Sequence, residues 1–184
     1  MAGFGGQGLM FLGKLTVQTM MDEGMHVTYF PSYGAEVRGG TANCHVIVSS
    51  DEIASPVVEM ADTLVVMNQP SYERFKTRLS PDGALLANVS LIELTDPPPA
   101  EYILEIPATR IATDLGDVRC ANMTMMGAYN QMRSFVPIEK LIEQMKRAFG
   151  EGKSAIWDLN AKALEVGRDL AREQLAASSQ SSTT

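Results

Sequence analysis

The amino-acid sequence predicts a single α/β domain over residues 1–177, a three-layer α/β/α sandwich with a mostly parallel sheet and a helical C-terminal part. Three observations carry that expectation. Short β-branched or continuously apolar runs alternate with segments of helical period as far as about residue 115. From Ala121 onward only the helical period persists. The chain's 184 residues, 45% of them hydrophobic, suit one buried core.

Taken in order, residues 9–23 predict a helix: Lys14, Gln18 and Asp22 fall four apart on one stripe, and Leu9, Leu12, Leu15 and Met20 lie among the apolar remainder. Gly24 closes it, and His26-Val-Thr-Tyr-Phe30 has the enrichment of a strand. Cys44-His-Val-Ile-Val48 predicts a second strand, and Thr63-Leu-Val-Val-Met67 one covered on both faces. Gln69-Pro70-Ser71 opens a helix to about Leu79, Pro81-Asp-Gly83 predicts a turn, and Ala84–Asn88 the next strand. Leu91–Leu94 is a candidate short strand, Pro97–Pro99 a loop, Tyr102–Ile106 a strand and residues 108–115 a helix. Ile138, Leu141, Ile142, Met145 and Phe149 repeat at helical spacing after Pro137, Gly150 stops them, and a last helix covers about 153–177. The Ser/Thr/Gln stretch 178–184 is expected to be a disordered polar tail.

Composition narrows the function. A formal charge of −7 argues against nucleic acid or an anionic membrane as main partner. Cys44 and Cys120 stand far apart without companion ligands, so neither zinc nor an iron–sulfur cluster is expected on this chain. No run reaches the ~18 apolar residues of a membrane span, and no secretory signal opens the chain, so a cytoplasmic location is expected. His26 and His45 lie in strand patterns without carboxylate neighbours at ligand spacing, and read as core or edge histidines. Met123, Met125, Met126 and Met132 read as gap-filling core residues.

Two segments carry the chemistry. Gly3-Phe4-Gly5-Gly6-Gln7-Gly8 leads straight into a helix, where converging backbone N–H groups and the helix N-terminus favour an anion. The equal alternative is that these glycines only permit tight strand-to-helix packing. The match to a Rossmann-like dinucleotide fingerprint is formally complete. However, only Met1 and Ala2 precede Gly3, so the aiming strand is expected to be missing, and Pro31-Ser32 stand where the ribose-binding acid should follow the second strand. NAD is therefore not expected. The second segment, Tyr33-Gly34-Ala35-Glu36-Val37-Arg38-Gly39-Gly40-Thr41, begins where the second strand ends. It suits a ligand or interface loop, with Glu36 and Arg38 alternatively bridging each other.

These segments, with Ser55-Pro56, Asn68-Gln69-Pro70 and Asn122-Met123-x-Met125-Met126-Gly127, form an ordered set from residue 3 to about 167. The set resembles the gamma subunit of 2-oxoacid:ferredoxin oxidoreductases, a unit that is also an internal domain of single-chain pyruvate:ferredoxin oxidoreductases. Asn43-Cys44-His-Val and Met67-Asn-Gln-Pro-Ser71 resemble the 2-oxoglutarate and branched-chain (2-ketoisovalerate) branches most. The resemblance implies a subunit inactive alone and without a catalytic or metal residue of its own. Its partners would be alpha and beta subunits, delta where present, and ferredoxin through the complex. The complex would use thiamine diphosphate, magnesium, iron–sulfur clusters and coenzyme A to turn a 2-oxoacid into an acyl-CoA. The pyruvate and indolepyruvate enzymes, and a purely structural scaffold, are the alternatives. Gly3, Gly5, Gly6, Gln7, Gly8, Tyr33, Gly34, Glu36, Arg38, Gly39, Gly40 and Thr41 are then the expected CoA-binding or interface residues.

Overall fold

A computed structural model describes residues 1–33, 41–150 and 154–181. Six strands form one sheet in the order β2-β3-β1-β4-β5-β6. They are β1 (Ala2–Phe4), β2 (His26–Tyr33), β3 (Thr41–Ser49), β4 (Ala61–Val66), β5 (Leu79–Asn88) and β6 (Tyr102–Ile106). The helices are α1 (Leu9–Asp22), α2 (Gln69–Phe75), α3 (Ala108–Leu115), α4 (Ala121–Arg133), α5 (Ile138–Phe149) and α6 (Ser154–Ser181). The α/β fold with a helical C-terminal part is as the sequence predicts.

The sheet is mixed. β1, β4, β5 and β6 pair in parallel, whereas β3 runs antiparallel to both β1 and β2. The alternation of strand and helix breaks between β2 and β3, which form a hairpin. Pro31 is tolerated inside β2 because its partner Cys44 directs its own backbone N–H the other way, to Met1 O at 2.9 Å. No ladder bond is then asked of the missing proline donor on an edge strand.

Two apolar clusters sandwich the sheet. Leu9, Leu12, Leu15, Val65, Leu86, Leu104, Met123, Met126, Leu141 and Leu164 belong to the larger, between the sheet and α1, α3, α4, α5 and α6. Met123, Met125 and Met126 are fully buried there, as gap-filling residues. Ala2, Leu64, Val66, Tyr72, Phe75 and Leu85 belong to the smaller, under α2 and the segment after β5. The layers are thus unequal in depth. α4 and α6 meet backbone to backbone: a Cβ on Gly127 would fall on Leu164 O, and one on Gly167 on Thr124 O.

Four expectations are corrected. A short strand, β1, does lead into the glycine loop, taking in the first two residues of the motif: Ala2, Gly3 and Phe4 pair with Asn43, Ala42 and Thr41. Pro81–Gly83 does not end a strand. β5 begins at Leu79, and its register against β4 shifts between Ala61↔Leu79 and Thr63↔Ala84, so the turn residues form an irregularity inside it. Leu91–Leu94 is not a strand; Ile92 is buried while Leu91 and Glu93 are exposed, and no ladder partner is offered. The Ser/Gln stretch from Ser178 continues α6 to Ser181 rather than leaving the helix.

Candidate functional site

The parallel strands β1, β4 and β5 end at one edge of the sheet, where Phe4, Val66 and Asn88 give way to loops. β2 also ends there, and β3 starts there: Phe4 pairs with Thr41, and Tyr33 with Ala42. The chain leaving β1 at Gly5 and the segment joining Tyr33 to Thr41 are therefore rooted on neighbouring strands. Gly34, Glu36, Arg38, Gly39 and Gly40 lie outside the described residues. The common edge of their roots is the one from which open α/β sheets present binding loops.

The glycine loop is shaped by its own glutamine. Gln7 turns inward: its Oε1 accepts from Phe4 N–H at 2.7 Å and from Asn68 Nδ2 at 2.9 Å, and its Nε2 donates to Met67 O at 3.2 Å. The Gln7 backbone N–H closes a turn onto Phe4 O at 3.1 Å. Gly3 is small because a Cβ there would meet Gln7 Oε1 at 2.7 Å and Leu9 Cδ2 at 2.9 Å. Gly8, at φ 76°, precedes α1, and a Cβ on it would strike the Asn122 amide, whose Nδ2 donates to Gly8 O at 3.3 Å. Gly6, at φ 100°, has nothing within 4 Å of its Cβ position. The glycines of the motif thus differ in their surroundings. Gly3 and Gly8 serve close packing, while Gly6 faces open space with a backbone that L side chains rarely adopt.

Further asparagines extend the edge. Asn68 caps α2 by accepting from Ser71 N–H at 2.9 Å. Asn88 donates to Met67 O at 3.3 Å and to Thr109 Oγ1 at 2.8 Å, and accepts from Thr109 N–H at 3.3 Å. Gln7, Asn68, Asn88 and Asn122 are thus the pins that hold the ends of β1, β4 and β5 to the starts of α1, α2, α3 and α4. Asn88 and Thr109 belong to no motif. Their signal was a lone amide closing an apolar strand, where a buried polar group must find partners.

What the edge offers a ligand is backbone. Among the described residues, no turn or loop carbonyl accepts from the N–H groups of Gly5, Gly6 or Gly8, and the first turn of α1 leaves its own donors open. The amide pins are neutral, so the favourable charge for an anion is the helix dipole. No group of three His, Cys, Asp or Glu that could hold a metal comes together among the described residues. Cys44 and Cys120 are buried free thiols, and burial raises the pKa of both, keeping them protonated. They do not fit a cluster. His45 is an edge histidine whose Nδ1 accepts from Val58 N–H at 3.1 Å, and burial lowers its pKa. No helix of the described residues is long and apolar enough to cross a membrane.

The model of the family described as pyruvate ferredoxin/flavodoxin oxidoreductase matches residues 1–170. Ketoisovalerate oxidoreductase subunit VorA of Methanothermobacter thermautotrophicus is 35% identical over 175 residues. That match covers 95% of this chain and 36% of VorA, so the chain spans about a third of that relative's length. The 2-oxoglutarate synthase subunit KorC of the same organism is 31% identical, over 94% of this chain and 93% of KorC. Among solved structures, the keto/oxoacid ferredoxin oxidoreductase gamma subunit from Geobacter sulfurreducens superposes with a TM-score of 0.78 at 25% identity, covering 94% of this chain and 96% of that one.

Proposed function

We propose, because this chain belongs to the pyruvate ferredoxin/flavodoxin oxidoreductase family, that it is the gamma unit of a 2-oxoacid:ferredoxin oxidoreductase. The observation that carries the reading is the near end-to-end likeness to a free-standing 2-oxoglutarate synthase subunit. The favoured substrate is 2-oxoglutarate. A branched-chain 2-oxoacid is the second reading, favoured by the higher identity to the ketoisovalerate subunit. The pyruvate and indolepyruvate enzymes are the remaining members of the class. Partners are alpha and beta subunits, and delta where present, with ferredoxin as acceptor.

Thiamine diphosphate, magnesium and iron–sulfur clusters belong to the other subunits in this reading. What this chain supplies is a rigid edge. The amides of Gly5, Gly6 and Gly8, the N-terminus of α1, and Arg38 from the neighbouring segment are proposed to meet either a phosphate of coenzyme A or carbonyl groups of the alpha subunit. Tyr33, Glu36, Gly39, Gly40 and Thr41 complete that surface. Coenzyme A, when bound, accepts the acyl group. The chain's residues orient it and move no proton. A pure scaffold makes the opposite prediction, that no residue here affects ligand affinity.

The test is to co-express the chain with its partner subunits and compare Arg38→Ala and Gly6→Val with the parent. A CoA KM raised about tenfold with intact assembly supports the ligand version, the size expected for one lost charge-assisted contact. Loss of assembly supports the interface version. Unchanged KM together with unchanged assembly removes the loops from both roles. Turnover of 2-oxoglutarate against 3-methyl-2-oxobutanoate by the same complex decides the substrate.

A further inference from the structure

The sheet is bounded by two edge strands, β2 and β6, and each turns a row of backbone groups outward. On β2 that row is interrupted, because Pro31 stands at an outward position and has no N–H to give. β6 carries no proline, and its run Tyr102-Ile-Leu-Glu-Ile106 is rich in strand-forming residues. Val89 N–H reaches Ile106 O at 3.0 Å, which fixes the alternation. The backbone groups of Tyr102, Leu104 and Ile106 face β5, and those of Ile103 and Glu105 face outward.

A single side chain answers the outward pair of Glu105. Gln174 Oε1 accepts from Glu105 N–H at 2.9 Å, and Gln174 Nε2 donates to Glu105 O at 2.8 Å. One amide thus makes both bonds that a residue of an adjoining strand would make, from a helix 69 positions further along the chain. Its placement is rigid. Gly167, about two turns earlier on α6, is seated against the Thr124 carbonyl of α4, and Ala171 between them is fully buried. A glutamine on a helix surface has water for both ends of its amide, so turning both onto one strand residue costs side-chain freedom that the two bonds must offset.

We propose that Gln174 is the cap of the β6 edge, and that what it keeps out is β6 of a second copy of this chain. Symmetry selects that occupant. Two β6 edges related by a two-fold axis meet antiparallel, each presenting the same surface to the other. A register centred on Leu104 sets Ile103 of one copy opposite Glu105 of the other, so that the outward groups pair and the two carboxylates stay apart. Growth from β6 onto β2 of the next copy is blocked by Pro31, which leaves the closed dimer as the form to be prevented. With the cap in place, an incoming strand finds the Glu105 groups taken and the glutamine side chain in its path. This inference is independent of the proposed catalytic partnership.

The experiment compares the full chain with Gln174→Ala by sedimentation equilibrium and by amide exchange. Gln174→Ala is expected to dimerise about tenfold or more tightly than the parent, the size expected from freeing two hydrogen-bonding groups. In dilute solution, where it is monomeric, its Glu105 amide is expected to exchange about tenfold or more faster than in the parent. At high concentration the Ile103 and Glu105 amides are expected to regain protection, as strand pairing requires. Glu105→Pro in the Gln174→Ala chain removes the outward donor without touching the bonds to β5, and is expected to return association to the parent level. Parent and Gln174→Ala sedimenting alike would overturn the proposal. So would association that survives Glu105→Pro, or protection that returns elsewhere and not on β6.

Discussion

At the residue scale, Gln7 shows how the fold can claim a side chain that its motif offers to a ligand. Its position between glycines suggests a side chain offered to a ligand, yet the amide is folded under the loop, bonding Phe4, Met67 and Asn68. Gln7→Ala would leave the Phe4 N–H and the Asn68 Nδ2 without the acceptor they share. It is expected to cost about 1–3 kcal/mol, measured by urea unfolding. Gln7→Glu cannot donate to Met67 O and is expected to fail as a rescue. Asp117 provides a pH-dependent check. The Arg119 guanidinium, bound through Nε at 2.9 Å, and the Arg119 backbone N–H hold its pKa down to about 2. A depressed carboxyl pKa stabilises the fold fully above the ordinary value of 3.8 and loses that contribution as pH falls towards 2. An NMR titration should find Asp117 still ionised at pH 3, and Asp117→Asn should flatten this part of the acid unfolding curve.

At the element scale, long periodic segments were legible and their partners were not. α3 occupies residues 108–115 as its pattern predicts, and α5 starts after Pro137 and stops at Gly150. The β2–β3 hairpin was hidden because each strand reads alike in either direction; only pairing distinguishes parallel from antiparallel. Gly127 and Gly167 carry the least legible information of all. Each sits inside a helix, where glycine costs about 1 kcal/mol relative to alanine, so its use there needs a reason outside the helix. The reason is the α4–α6 seam, where each glycine faces the other helix's carbonyl. Gly127→Ala and Gly167→Ala are each expected to destabilise by about 1–3 kcal/mol despite the better helix former, because the backbones must separate. Thermal unfolding measures this. The double substitution is expected to be less than additive, since the first already opens the seam.

At the scale of the whole molecule, composition excluded more than it identified. The net negative charge and the scattered cysteines only argued against classes, whereas the family came from the order of several weak motifs along the chain. The candidate site was legible in half. The glycine loop was found, but Asn88 and Thr109 were invisible because their meaning depends on which strand and helix ends the topology brings together. Coenzyme A and subunit contacts are read out only in the complex, so Arg38→Ala belongs to this scale. It is expected to change CoA affinity or assembly while leaving the stability of the isolated chain within about 0.5 kcal/mol.

The brevity of β1 has a mechanical corollary. Among the described residues, the hairpin of β2 and β3 is tied to the remaining strands through the short stretch from Met1 to Phe4, with α1 as its second attachment. A sheet stitched at so narrow a waist should breathe there first. Amides of the hairpin should exchange by sub-global opening while those of β4 and β5 wait for global unfolding, giving one polypeptide two unequal lifetimes.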